Sequence, residues 1–231
     1  MISVKPFHHS KLYLSGTMHE WLLASSCFSC ALLLGRILVT QSLGYVFLPW
    51  NLFLAFIPYW VTWLITRNGA IIIKSRIKLF IALAAWLVFV PNSFYIITDL
   101  FHFTHIRSAP KWFDLLLIFS FAWNGILCGI ISLRRVEIIM MTLFRIKNIS
   151  LFLVFVVMWL SAFGIYIGRY LRFNSWDIVT DPFSLAGEIL NMIIHPFQHL
   201  YPWGMTLCYS IFMTFLYFTI KKMSESFPAI E

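Results

Sequence analysis

Four polar side chains follow one another near the end of a long apolar run and could carry out acid–base chemistry. Asn92, Tyr95, Asp99 and His102 are spaced by three, four and three residues, which places them on one face of a helix. Asp99 or His102 could act as a general base, and Asn92 and Tyr95 could hold a substrate by hydrogen bonds. Pro91 comes just before them, so we expect the helix to bend below the cluster.

A second group of polar residues lies further along the chain, and we expect it at the same depth as the first. Asp114 begins the next apolar segment, where the helix dipole favours a carboxylate, and it could orient the base. Arg169 and Arg172 could hold a phosphate through paired donors, and Asn174 and Asp177 could complete the substrate-binding surface. Ionisable groups at membrane depth are candidates for function by default.

Each of these residues also has a structural interpretation, and the sequence leaves the choice open. Asp99 could form an ion pair with either arginine, because buried charges need partners. His102 could be an interfacial histidine, Asp114 a helix-start residue, and the segment 174–177 a turn.

Sequence patterns for a nucleophile, a metal or a cofactor are missing, so we predict neither a metal nor a cofactor. The chain has no G-x-S-x-G, H-E-x-x-H or P-loop pattern. Cys27 and Cys30 form a C-x-x-C, but they lie within an apolar run, where small buried thiols are the expected interpretation.

The composition is that of a membrane protein. Of the 231 residues, 61% are hydrophobic and only 11% are charged, whereas soluble domains have about 25% charged residues. The net charge of +8 does not indicate nucleic-acid binding, because membrane proteins carry excess Lys and Arg in their cytoplasmic loops. The lipid bilayer, including its anionic head groups, is the expected partner.

Six apolar segments are long enough to cross a bilayer. The predicted fold is therefore an all-α membrane protein, a bundle of six transmembrane helices with a short interfacial amphipathic helix between spans 5 and 6. We expect a tail at 1–20, a membrane domain at 21–220 and a second tail at 221–231. The predicted spans are about 21–43, 46–65, 79–100, 113–133, 151–168 and 203–220.

The distribution of charge predicts how these spans are oriented. Six spans place both termini on one side, and that side receives twelve of the 17 Lys and Arg residues. The positive-inside rule then predicts cytoplasmic termini, with the polar cluster at the extracytoplasmic mouth. One further cation, Arg36, lies within span 1 and should either face protein or extend to the surface.

Two local patterns predict further packing details. Asp181-Pro182 resembles a helix start, and the polar residues Ser184, Glu188 and Asn191 then recur on one face of a segment too short to span a bilayer. Spans 4 and 5 each contain a G-x-x-x-G pattern, at 125–129 and 164–168, which suggests that these two spans pack against each other.

Three motifs in chain order carry a resemblance to a known family. They are Pro91-Asn92-x-x-Tyr95-x-x-Thr98-Asp99-Leu100-x-His102, then Trp112-Phe113-Asp114 with Ser120-Phe121-Ala122-Trp123, then Gly168-Arg169-Tyr170-Leu171-Arg172-x-Asn174-Ser175-Trp176-Asp177. With these motifs the chain resembles, from about span 2 to span 6, the bacterial multi-pass membrane family catalogued as domain-of-unknown-function thirteen-sixty-one. The resemblance implies a protein of the bacterial plasma (inner) membrane and implies no activity.

Three functions remain open from the sequence. The first is an enzyme or binding protein that processes or binds a lipid head group or a phosphate-bearing envelope precursor. The second is a small transporter component, because proline interrupts spans 2 and 3. The third is a non-catalytic scaffold of an envelope complex, in which the polar cluster is structural.

Overall fold

The structure, a computed structural model, describes residues 16–73, 75–104, 109–144 and 149–226. The parts of the two predicted tails at 1–15 and 227–231 lie outside these ranges. So do six of the cations counted for sidedness: Lys5, Lys11, Lys74, Arg107, Arg145 and Lys147. In the described part of the chain every regular element is helical and there is no strand. The helices are α1 (Gly16–Thr40), α2 (Phe47–Arg67), α3 (Gly69–Ile72), α4 (Arg76–Tyr95), α5 (Lys111–Phe144), α6 (Ile149–Tyr166), α7 (Asp177–Thr180), α8 (Pro182–Ile194) and α9 (Leu200–Ser226).

Three short helices of other types interrupt or extend these elements. A 3₁₀-helix, Ile96–Thr104, continues α4, and a π-helical turn, Ile167–Leu171, continues α6. A second 3₁₀-helix, Pro196–His199, leads into α9. The predicted class is confirmed: six helices, including these extensions, are long and apolar enough to span a membrane, and α8 is a shorter apolar helix.

The fourth span extends well beyond its predicted end. The predicted span ends at residue 133, because Arg134 and Arg135 follow, but α5 runs to Phe144. The helix continues because its charged residues find partners inside the bundle. Arg135 donates to the carbonyl oxygen of Tyr59 at 3.2 Å and lies over the Tyr59 ring, 4.5 Å from its centroid.

The helix α5 is central to the bundle. One hydrophobic core lies among α4, α5, α6 and α9, and it includes Val90, Leu133 and Met158. A second lies among α1, α2 and α5 and includes Leu48 and Phe121. Because α5 contributes to both cores, it holds the two halves of the bundle together.

The glycine pairs pack differently from the prediction. A Cβ at Gly129 would come within 2.8 Å of Phe94, and one at Gly164 within 2.9 Å of the Pro91 Cβ. Both positions therefore face span 3, and so do Gly125 and Gly168. The expectation that these glycines join spans 4 and 5 is wrong. Two small-residue surfaces instead allow span 3 to approach both neighbours closely.

The short helix α8 begins as its sequence predicts. The Asp181 carboxylate accepts a hydrogen bond from the backbone N–H of Ser184 at 3.3 Å, and Pro182 occupies the first helical position. Leu185 and Ile189 are half-buried and Met192 is buried, so one stripe of the helix lies against protein.

Candidate functional site

Asp99 is a buried carboxylate that joins three elements. It lies in the 3₁₀-helix that ends span 3 and is 1% exposed. Asn51 of α2 donates from Nδ2 to Asp99 Oδ2 at 2.8 Å. Arg169 of the π-helical turn places Nη1 4.0 Å from Oδ1, at the limit of an ion pair, while its guanidinium lies over the Phe101 ring. Among the described residues no hydrogen bond reaches Oδ1, so the carboxylate is only partly paired.

Asp114 forms an ion pair with Arg36. Both side chains are buried, with Arg36 Nε 2.7 Å from Oδ1 and Nη2 3.4 Å from Oδ2. The guanidinium also lies over Tyr45, 4.4 Å from the ring centroid. Of the two alternatives for Arg36, the structure therefore has it facing protein. The geometry gives Asp114 a structural partner on α1, and the catalytic role remains a prediction.

His102 lies three residues after Asp99, about one turn further along the same 3₁₀-helix. Its ring packs against Phe47, with 5.0 Å between ring centroids, and its carbonyl oxygen accepts a hydrogen bond from the Tyr45 hydroxyl at 3.4 Å. Because Tyr45 also lies beneath Arg36, these contacts connect His102 to the Asp114 pair.

Asn92 connects span 3 to the loop after span 5. Its Nδ2 donates to the Ser175 hydroxyl at 2.9 Å and to the carbonyl oxygen of Phe89 at 3.1 Å. One helical turn later, Tyr95 lies against Gly168, where a Cβ would be 3.2 Å from the tyrosine ring. The predicted face of span 3 therefore meets the predicted loop, through Asn92 and Tyr95.

Asp177 closes the loop that carries Asn174. The backbone N–H of Asn174 donates to Asp177 Oδ2 at 2.6 Å, and the Thr180 hydroxyl donates to Oδ1 at 2.9 Å. These hydrogen bonds, first that from the Asn174 amide, hold the pKa of Asp177 below its ordinary value. Arg172 precedes this loop in the left-handed region, with φ of 63°, and its side chain is exposed. The contacts of Asp177 are those of a turn.

A groove with a volume of about 370 Å³ lies beside these residues. Its floor is α4, its two walls are α2 and the end of α6, and its roof is the loop 173–178 with α8. The lining residues are Trp50, Asn51, Leu54, Leu87, Val88, Pro91, Asn92, Tyr95, Gly164, Ile167, Gly168, Phe173, Asn174, Ser175, Trp176, Ile178, Leu185 and Ile189.

The lining of the groove differs between its two ends. From Leu87 to Tyr95 the floor is about 12 Å long, at about 1.5 Å per helical residue. One end is lined by Leu54, Leu87 and Val88. At the other end, amides and hydroxyls such as that of Tyr95 lie beside apolar side chains such as Ile189. This difference matches an amphiphile, with a chain at one end and a polar group at the other.

Three of the nine predicted site residues line the groove: Asn92, Tyr95 and Asn174. Asp99 and Arg169 lie behind it, and Asn51, which lines the groove and binds Asp99, connects the two layers. The other predicted residues do not line it: His102, Asp114, Arg172 and Asp177. In the described part of the chain no group of three His, Cys, Asp or Glu side chains could hold a metal ion.

Four groove residues are not among the predicted site residues: Asn51, Ser175 and the two tryptophans. Asn51 had a signal, because it is an amide within an apolar span that also contains Pro58. Ser175 and Trp176 lie inside the third motif, between predicted residues. Trp50 has no signal beyond its aromatic character.

A second polar cluster lies at the opposite end of α5 and was also missed. The Glu137 side chain is completely buried and accepts hydrogen bonds from Tyr217 at 2.5 Å, from Lys221 at 2.6 Å, and from Arg134 and Ser150. Four donors from three helices therefore satisfy this carboxylate. Lys221 also donates to the Ser150 hydroxyl at 3.1 Å, which closes the network.

The comparisons with known proteins identify a family. The model for the family described as "Protein of unknown function (DUF1361)" matches residues 50–220, which is most of the chain. The protein belongs to this family, as its motifs suggested, and the match contains all the groove-lining residues. Comparisons with curated proteins and with solved structures find no match.

Proposed function

We propose that this protein binds a lipid-type amphiphile in the groove above span 3. The observation that carries the proposal is a groove of about 370 Å³ that is apolar at one end and has its polar side chains at the other. Pockets for ligands of this size are mainly apolar with a few polar groups that fix orientation. The acyl chain would lie along Leu54, Leu87 and Val88, and the head group would meet Asn92 and Ser175.

The surroundings of the groove support a ligand that arrives from the bilayer. Trp50 is 53% exposed and Leu87 is 37% exposed, and in a membrane-spanning bundle such apolar surface faces lipid. Both also line the groove, so a chain could move sideways from the bilayer into it without crossing a polar barrier.

The short helix α8 would complete the site as an interfacial cover. Leu185 and Ile189 face the groove, whereas Phe183 is 90% exposed and Ile194 is 65% exposed. An amphipathic helix with such an exposed apolar surface is typical of the boundary between head groups and acyl chains. The cover would then hold the bound head group at the membrane surface.

Asp99 and Arg169 would act through Asn51 in this proposal. The hydrogen bond from Asn51 Nδ2 to Asp99 holds the amide in one orientation, and Asn51 also lines the groove. Asp99 is therefore proposed as a positioning residue for ligand binding. The predicted acid or base roles of Asp99, His102 and Asp114 are not part of this proposal, because none of the three side chains lines the groove.

We further propose that the membrane is the bacterial plasma membrane, with both termini in the cytoplasm and the groove on the extracytoplasmic side. The asymmetry of Lys and Arg supports this orientation. A membrane-impermeant maleimide applied to intact cells should label Ser184→Cys and should not label Lys78→Cys. The reverse pattern would contradict the proposed orientation.

The test of binding is to fill the apolar part of the groove. Leu54→Trp adds bulk to the α2 wall, whereas Leu64→Trp adds the same side chain to the exposed surface of the same helix. Lipid that co-purifies with each variant is extracted and quantified by mass spectrometry. We expect the amount of lipid bound to Leu54→Trp to fall at least about tenfold below that of the wild type. Leu64→Trp should bind the wild-type amount. Equal lipid in both variants would contradict the proposal and favour the scaffold.

A further inference from the structure

The polar side chains that line the groove are all uncharged. They are three amides and two hydroxyls: Asn51, Asn92, Asn174, Tyr95 and Ser175. Lys, Arg, His, Asp and Glu are all missing from the lining residues within the part of the chain that the structure describes. An amide both donates and accepts hydrogen bonds, and so does a hydroxyl, so this lining is suited to a ligand that does the same.

The arginines expected to bind phosphate are not at the groove. Arg169 faces the Asp99 carboxylate at 4.0 Å and lies over the Phe101 ring, so its charge is already opposed. Arg172 is exposed and does not line the groove. A phosphate at the polar end would be partly desolvated with no cationic side chain among the described lining residues, which is unfavourable.

Two tryptophans complete the polar end. Trp50 lines it from α2, and Trp176 lines it from the loop beside Ser175. Tryptophan combines an apolar ring face with a polar N–H and suits boundaries where one side of a ligand is apolar and the other is wet. A sugar ring has that character, because its C–H groups and its hydroxyls point in different directions.

We propose that the polar end of the groove binds an uncharged, hydroxyl-rich head group, the glycosyl group of a glycolipid, in preference to a phosphate. The inference rests on the proposed lipid binding and adds the chemical class of the head group. Asn92 and Asn174 would each accept a hydrogen bond from a hydroxyl through Oδ1, since their Nδ2 groups already donate within the protein. Ser175 and Tyr95 would complete the set.

The test compares two lipids with identical chains. The purified protein is placed in nanodiscs of dioleoylphosphatidylcholine that contain equal small amounts of dioleoyl monoglucosyl-diacylglycerol and dioleoyl phosphatidic acid. Native mass spectrometry then measures which lipid remains bound. We expect the glucosyl lipid to be enriched over phosphatidic acid by about tenfold.

Matched variants locate the effect. Asn92→Leu and Ser175→Ala should each reduce the enrichment toward equal binding, since each removes a groove-lining polar group. The control is Asn68→Leu, which makes the same change at an exposed position between α2 and α3. The control should keep the wild-type preference.

The outcomes separate this inference from the function on which it rests. Enrichment of phosphatidic acid, or equal binding of the two lipids, would overturn the glycosyl preference while lipid binding itself stands. Enrichment that Asn92→Leu and Ser175→Ala leave unchanged would also overturn it, because the head group would then lie elsewhere. If Leu54→Trp and Leu64→Trp retain equal lipid, the proposed function fails as well.

Discussion

Two buried carboxylates at opposite ends of the bundle are paired very differently. Glu137 accepts hydrogen bonds from four side chains, and both of its oxygens are occupied. Asp99 accepts one hydrogen bond at one oxygen, and a guanidinium lies 4.0 Å from the other. The first arrangement is complete without a ligand, and the second lies next to a groove.

Polar groups inside a membrane protein can be structural or functional, and these two carboxylates illustrate the difference. A fully satisfied network holds helices together, and adding a ligand to it would require breaking existing hydrogen bonds. An incompletely paired group beside a cavity costs stability and is retained where it serves another purpose. The end of the bundle that carries Asp99 is therefore the better candidate for function, although the cluster around Glu137 is the more tightly bonded.

Removal of the inner carboxylate should have the largest effect. Glu137→Ala leaves Lys221 and Arg134 without their buried partner, and breaking such a group costs about 3–5 kcal/mol. The free energy of unfolding, measured by chemical denaturation in detergent, should fall by this amount. A loss below about 1 kcal/mol would show that the cluster is as weak as an exposed ion pair.

The outer ion pair of Arg36 and Asp114 should come next. Asp114→Asn should destabilise the protein by about 3 kcal/mol, because it leaves the Arg36 charge buried. The double variant Arg36→Met with Asp114→Leu removes both charges and should recover most of that loss. The free energies of unfolding of the single and double variants are compared in the same detergent. If the double variant is no more stable than Asp114→Asn, the expected stability effect of the Arg36–Asp114 pair is contradicted.

The close contact between span 5 and span 3 should have an intermediate effect. Gly164→Ala places a Cβ 2.9 Å from Pro91 and should cost about 1–3 kcal/mol, as overpacking does. Gly35→Ala is the control, since nothing lies within 4 Å of its Cβ, and it should be neutral or slightly stabilising. Thermal unfolding in detergent measures both variants, and similar melting temperatures would contradict the close contact between Gly164 and Pro91.

Asp99→Asn should reduce ligand binding more than it reduces the stability of the protein. The carboxylate is only partly paired, so we expect a loss of about 1 kcal/mol and normal abundance in the membrane. Bound lipid should nevertheless fall by roughly fivefold, because an amide at position 99 donates as well as accepts and therefore no longer holds the Asn51 amide in one orientation. Immunoblots of membranes and lipid mass spectrometry measure the two effects. If the Asp99→Asn variant were absent from the membrane, Asp99 would be a structural residue like Glu137. The proposed difference between the two carboxylates would then be contradicted.

The loop at Asp177 should show the smallest effect, and only in acid. Its pKa is lowered in the folded protein, so the order that it provides is complete above the ordinary carboxyl pKa of about 3.9. That order is lost as the pH falls through the lower, folded-state value. A spin label at Val179→Cys, with the native cysteines replaced by serine, should gain mobility below that pH. Asp177→Asn should raise the mobility at neutral pH.

The class of fold and the family were predictable from the sequence, because apolar length and three ordered motifs are local features. The polar pairings were not. Arg36 and Asp114 are 78 positions apart, and no local pattern specifies which carboxylate a buried arginine will meet. The extension of α5 was missed for the same reason, since Arg134 looks like the end of a span until Lys221 and Glu137 are brought together.

The groove itself could be predicted only in part. Asn92, Tyr95 and Asn174 were selected because their spacing or their neighbours stood out. The cavity depends on how α2, α4 and α6 pack, and that packing is set by glycines whose contacts proved to differ from the expected ones. Where two interpretations of G-x-x-x-G are available, the sequence of one chain does not choose the partner helix.

The length of α5 has a consequence for the kind of bilayer in which the protein fits. Asp114 and Glu137 lie on this one helix, about 35 Å apart at about 1.5 Å per residue. The hydrocarbon core of a bilayer is about 30 Å thick. Each carboxylate is tied to another helix, so neither end can shift alone. A thinner bilayer would be met by tilting of the whole bundle or by local thickening of the bilayer, so the length of α5 sets the membrane thickness that the protein matches.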